Sequence, residues 1–155
     1  MHLALSEVYG KIKNESKKKE EIEKTQEILK RSTETESKNP KEYFLLCQIY
    51  RNQHKISEAI AVVESIKLIS LDKEMRRDVH FLLANLYYED KIFDRAEEEL
   101  QMTLKLDPDF HEANNFLGYL FVENNKNLDE AIHLINKALK AQPQNGAYLD
   151  SLGCA

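Results

Sequence analysis

Chemistry in a protein needs particular side chains held close together, so the histidines, cysteines and acidic runs come first. Five histidines stand at His2, His54, His80, His111 and His133. No two are four residues apart, the spacing that sets two imidazoles on one helix face for a metal. Two cysteines, Cys47 and Cys154, are too few for a disulfide framework and read as free thiols, Cys47 buried and inert and Cys154 accessible. Glu97, Glu98 and Glu99 read as a solvated face. His80 reads as packing and His54 as a solvated turn residue. There is no glycine-rich phosphate loop and no serine in a nucleophile setting. Asn14-Glu15-Ser16 fits a glycosylation acceptor, which has meaning only in a secretory compartment. These residues predict no catalytic site, no metal and no cofactor, and therefore not an enzyme.

The elements that could position a binding surface follow from composition. The chain has 155 residues, of which 42% are hydrophobic and 32% charged, enough to build a core. Its net charge is −5. Residues 40–155 carry the acidic excess, and no basic face is evident for a nucleic acid. No apolar run approaches the roughly 18 residues of a membrane-spanning helix, which excludes membrane insertion. The start, MHLALSEVYGK, has no basic leader region and does not read as a signal peptide. Composition does not choose between the cytoplasm, which is slightly favoured, and the cell envelope. Four Gly, three Pro and no Trp point to long helices and short turns.

A repeat organises the chain. LLCQIYRNQHKISEAI (45–60), LLANLYYEDKIFDRAE (82–97) and FLGYLFVENNKNLDEAI (116–132) align. Each gives Leu, a small residue, and an aromatic three places on: Leu46-Cys47-Tyr50, Leu83-Ala84-Tyr87 and Leu117-Gly118-Phe121. Each then gives a polar turn and an alanine, Ala59, Ala96 or Ala131, and Pro108 and Pro143 close two of the units. Leu152-Gly153 begins the pattern again. The period is near 34 residues, the length of a helix–turn–helix unit. The small residue allows the first helix of a unit to approach the second, and proline stops the second helix because it donates no backbone hydrogen bond.

This pattern resembles the tetratricopeptide repeat. The resemblance implies an all-α fold, a right-handed superhelix of antiparallel helix pairs. It divides the chain into 1–39, a degenerate first repeat or helical cap; 40–73, 77–110 and 111–145, three repeats; and 146–155, the start of a further repeat cut short. Three extra residues follow the first repeat, and the turn of the third carries one extra. The stretch LDEAIHLINKALKAQPQNGAYLDSLG resembles repeats common in bacterial proteins.

The resemblance also implies a groove lined by each unit's first helix. Carried over position by position, the lining is Lys41, Phe44, Gln48 and Arg51; Asp78, Phe81, Asn85 and Tyr88; and Glu112, Asn115, Tyr119 and Val122. Amides there can bond a peptide backbone, and tyrosine packs while keeping a polar tip. The alternative is that Phe44, Phe81, Tyr88 and Tyr119 belong partly to the core. Some family members grip an acidic peptide tail with a basic clamp. Here Glu112 and Asn115 stand where basic residues would be needed. The groove is expected to be graded, Lys41 and Arg51 early and Asp78, Glu89, Glu112 and Glu123 later.

The implied function is a protein-interaction scaffold that takes a peptide or partner helix in the groove. Self-association and a passive spacer role in a larger protein are the alternatives. In 1–39, Leu5, Ser6 and Tyr9 suggest a first helix, residues 17–31 a second and 32–40 a loop. In GAYLDSLGCA, Tyr148, Leu149, Leu152 and Ala155 are expected to find no partner, so that copies of the chain associate through this end.

Overall fold

The computed structural model describes residues 17, 19–32, 34, 35, 39–67 and 69–155. Among them there are helices and turns and no strand. The chain falls into two compact parts, residues 1–62 and 63–155.

In the first part, α1 runs through residues 19–32, and Glu34 is also helical, so the helix enters the stretch expected to be a loop. Of its apolar residues Ile22, Ile28 and Leu29, only Leu29 is buried. Glu20 pairs with Lys24 at 2.7 Å, the favoured acid-first order on a helix. α2 (Pro40–Asn52) begins with proline at its first position, and the Asn39 side chain accepts the Lys41 N–H at 3.2 Å. Its buried face is Tyr43, Leu46, Cys47 and Tyr50, the helical i, i+3, i+4, i+7 stripe. Ser32 Oγ donates to Glu42, and Gln53 Nε2 donates to Gln26 Oε1 at 2.8 Å, tying α1 to α2 and its turn. α3 (Ile56–Ile66) follows, with Ala59 and Ile60 buried. The expectations at His2, Leu5, Ser6, Tyr9 and Asn14–Ser16 lie outside the described residues.

The second part takes in the end of α3, where Val63 and Ile66 are fully buried. It continues with α4 (Lys73–Glu89), α5 (Phe93–Leu106), α6 (His111–Glu123), α7 (Leu128–Ala141) and α8 (Gly146–Cys154). α4 pairs with α5 and α6 with α7; α5 touches α6, and α8 lies against both α6 and α7. The repeat positions fill this core. Leu83, Ala84, Tyr87, Ala96 and Leu100 are buried in one pair, and Leu117, Phe121, Ala131, Ile135 and Ala138 in the other. The small residue acts as expected at Gly118, where an added Cβ would stand 2.7 Å from Ile135 Cγ1 and 2.9 Å from the Ala131 carbonyl oxygen.

Three turns share one geometry. The Lys55 N–H bonds the Tyr50 carbonyl, Ile92 that of Tyr87 and Lys126 that of Phe121, at 2.9, 2.8 and 2.8 Å. A second bond runs from His54 to Arg51, from Lys91 to Tyr88 and from Asn125 to Val122. This pair of bonds is a Schellman closure, which needs a left-handed residue just past the helix. His54, Lys91 and Asn125 take it, with φ of 58, 61 and 51°. The extra residue of the third turn is absorbed by Asn127, also left-handed at φ 47°; asparagine is among the few non-glycine residues that accept this conformation. The extra residues before the second repeat become helix. α4 begins at Lys73, and Asp72 caps it by accepting the Met75 N–H at 2.7 Å. α5 and α7 end just before Pro108 and Pro143.

Candidate functional site

The implied groove residues fall in both parts. In the first, all four lie on α2: Lys41, Gln48 and Arg51 are exposed and Phe44 is half-buried. They avoid the buried stripe of that helix.

In the second part, Asp78, Phe81, Asn85 and Tyr88 lie on α4, and Glu112, Asn115, Tyr119 and Val122 on α6. All eight are half-buried. Side chains link the two helices. Phe81 meets Phe110 and Phe116 edge-on, with ring centroids 5.0 and 6.4 Å apart, and Tyr88 meets Phe116 at 5.2 Å and Phe93 at 5.5 Å. Edge-to-face contacts of this kind are favourable beyond the area they bury. Phe81 and Tyr88 therefore spend part of their surface on packing and expose the rest.

The polar groups are arranged around this aromatic cluster. The Tyr88 hydroxyl donates to Glu123 at 3.0 Å. Burial first, and then that bond, push the Tyr88 hydroxyl pKa well above its usual value. Arg77 holds Asp78 at 2.7 Å and Asp107 at 3.0 Å, and its guanidinium lies 4.6 Å from the Phe110 ring centre. Buried Asn114 donates to the Pro108 and Phe110 carbonyls, which fixes the turn that presents Phe110. Asn85 Nδ2 donates to the Phe81 carbonyl at 2.7 Å. Asn115 Oδ1 and Glu112 Oε2 are buried and accept no hydrogen bond among the described residues; the approach of Glu112 Oε2 to His111 Nδ1, at 3.2 Å, is an ion pair only when His111 is protonated.

Two features depart from the sequence reading. Glu99 is not on a solvated face: it is 4% exposed, and its carboxylate takes Lys67 Nζ at 2.7 Å and His80 Nδ1 at 2.6 Å. Burial alone would raise its pKa, but the hydrogen bonds from His80 and Lys67 outweigh burial and hold it below the usual carboxylate value. The signal was present, since Glu99 lies on the same helical stripe as Ala96, Leu100 and Thr103. Nearby, Tyr87 donates to Glu64 at 2.8 Å and receives Arg95 at 3.4 Å. The second departure is Tyr148, expected to lack a partner. It is buried, with its hydroxyl 2.9 Å from His111 Nδ1, because α8 lies on α6. Leu149 stays 49% exposed. Cys47 is buried and Cys154 exposed, as expected. Among the described residues no helix is long and apolar enough to cross a membrane.

A family model described as the tetratricopeptide repeat matches residues 81–146. Solved structures share the fold. MamA is 18% identical with a TM-score of 0.72, covering 88% of this chain and 78% of its own. YrrB, described as a TPR protein with an unusual peptide-binding site, is 18% identical with a TM-score of 0.71, covering 90% and 70%. The first TPR of Spaghetti (RPAP3), bound to the HSP90 peptide SRMEEVD, is 20% identical with a TM-score of 0.61, covering 69% and 82%. No curated protein sequence matches the chain. The likeness shows an all-α fold of the helix-pair solenoid type.

Proposed function

We propose that the chain is a protein-interaction scaffold of the tetratricopeptide repeat type whose α4 and α6 faces take a peptide. The observation that carries this reading is the matched half-buried stripe: Asp78, Phe81, Asn85 and Tyr88 beside Glu112, Asn115, Tyr119 and Val122. A plain solvated helix face would be charged and open. This one offers aromatic rings that are partly used, with amides and carboxylates one turn away. Rings give contact area at low entropic cost, and amides pair with an extended backbone. The peptide-bound Spaghetti (RPAP3) repeat and YrrB, described as having a peptide-binding site, support the reading without giving the ligand. Lys41, Phe44, Gln48 and Arg51 are proposed as a further binding stripe on α2.

The test is backbone amide NMR of the 155-residue chain, titrated with an array of short peptides. Shifts confined to α4 and α6, lost in Phe81→Ala and Tyr119→Ala, are expected. Binding that leaves these helices unmoved would sink the groove reading. A mass that rises with concentration in sedimentation, with no peptide effect, would favour self-association.

A further inference from the structure

We propose that the α4–α6 face selects a peptide carrying lysine or arginine between apolar residues, and disfavours an acidic one. This rests on the groove reading above and adds the class of partner. The face is rich in acceptors and poor in cations. None of its eight stripe residues is Lys or Arg. The adjoining Arg77 is already held by Asp78 and Asp107 and stacked on Phe110. Asn85 uses its amide nitrogen on its own helix, which leaves its oxygen for a partner.

α6 then offers two acceptors one turn apart, Glu112 and Asn115, each with a buried oxygen that accepts no hydrogen bond among the described residues, although His111 Nδ1 stands 3.2 Å from that of Glu112. An unmet buried acceptor is costly, and a donor brought beside it removes that cost. The terminal torsions of Glu and Asn are soft, so either oxygen can turn to meet an incoming N–H. Glu123, two turns further along α6, is exposed and adds a second carboxylate on the Tyr88 side. The half-buried rings of Phe81, Phe116 and Tyr88 lie on the same two helices. A cationic side chain can bond the carboxylates at either end, while its aliphatic stem and apolar neighbours cover the rings.

The probes are three synthetic peptides sharing Leu and Tyr positions and differing only in Lys, Gln or Glu between them. Affinity is measured by calorimetry and location by amide NMR. The Lys peptide should bind about ten-fold tighter than the Glu peptide, the size of one well-made charged contact. Glu112→Lys with Glu123→Lys should invert that order, and exposed Glu123→Lys alone should narrow it should the double variant fail to fold. Equal or reversed affinities, with shifts still in α4 and α6, would overturn the charge preference and leave the groove standing. Shifts elsewhere, or none, would overturn both.

Discussion

Between α6 and α7 the contact is apolar and close, with Gly118 making room for Ile135 and for the Ala131 carbonyl. Between α4 and α5, Ala84 takes the place of Gly118, and Glu99 takes the place of Leu134. That first pair is joined by charge: Glu99 holds His80 from α4 and Lys67 from beyond the end of α3, while Tyr87 and Arg95 meet Glu64. Both pairs keep the same turn and the same buried alanine, Ala96 or Ala131, at 0% exposure. One backbone plan thus tolerates two ways of filling it. The polar way also reaches outside the pair, because Lys67 and Glu64 come from the segment before α4.

The largest effect should come from Glu99→Ala, which strands Lys67 and His80. The expected loss is about 3 kcal/mol, the low end for breaking a buried ion pair, because Lys67 keeps contact with solvent. Glu99→Leu, which gives α5 the residue type of α7, should cost clearly less. Equal losses, read from urea midpoints, would mean that volume and not charge distinguishes the pairs. The pH dependence carries a sign. Because the folded Glu99 pKa is lowered, its stabilisation is fully present above the unfolded value of about 4.3. It is lost as pH falls through the folded value. The natural chain should therefore lose more stability than Glu99→Leu on acidification below about pH 4.

Next in size are the helix crossings. Ala131→Leu and Ala96→Leu should each cost about 1–3 kcal/mol through overpacking. An unchanged melting temperature would shift the repeat phase. Gly118→Ala should also destabilise, despite a gain of up to about 1 kcal/mol in helix propensity, because the Ala131 carbonyl cannot yield without moving α7. Gly153→Ala meets nothing within 4 Å and should stabilise slightly. Opposite signs at the two glycines would confirm that close approach is local to α6 and α7.

The smallest effects are expected at the turns the two pairs share. Lys91→Gly relieves a left-handed lysine at φ 61° and should gain up to about 1 kcal/mol. Asn125→Gly should gain less, since asparagine already tolerates that conformation. Equal gains in thermal melts would show that side-chain type has no weight there.

The repeat was legible because its signals are local and recur. Leu46, Leu83 and Leu117 with their small and aromatic neighbours define one helix face, and Pro108 and Pro143 mark its partner's end. The stripes proposed as a groove on α4 and α6 were placed by the family resemblance, position by position. Their half-burial could not be read that way, since it comes from Phe110 and Phe116 reaching Phe81 and Tyr88. Glu99 was misread because a run of three glutamates looks solvated until the helical phase of each is separated.

Sequence by itself therefore determined the helices of the repeats, their proline stops, and the order of small, aromatic and alanine positions. Each depends on residues within a few turns of one another, where sterics and backbone hydrogen bonding act locally. Tertiary structure alone decided which polar groups are satisfied. Glu99 meets Lys67 across 32 residues of chain, Tyr148 meets His111 across 37, and Asn115 Oδ1 accepts no hydrogen bond among the described residues. Such pairings turn on the packing of one helix pair against the next, and no periodicity in the chain encodes the distance between them.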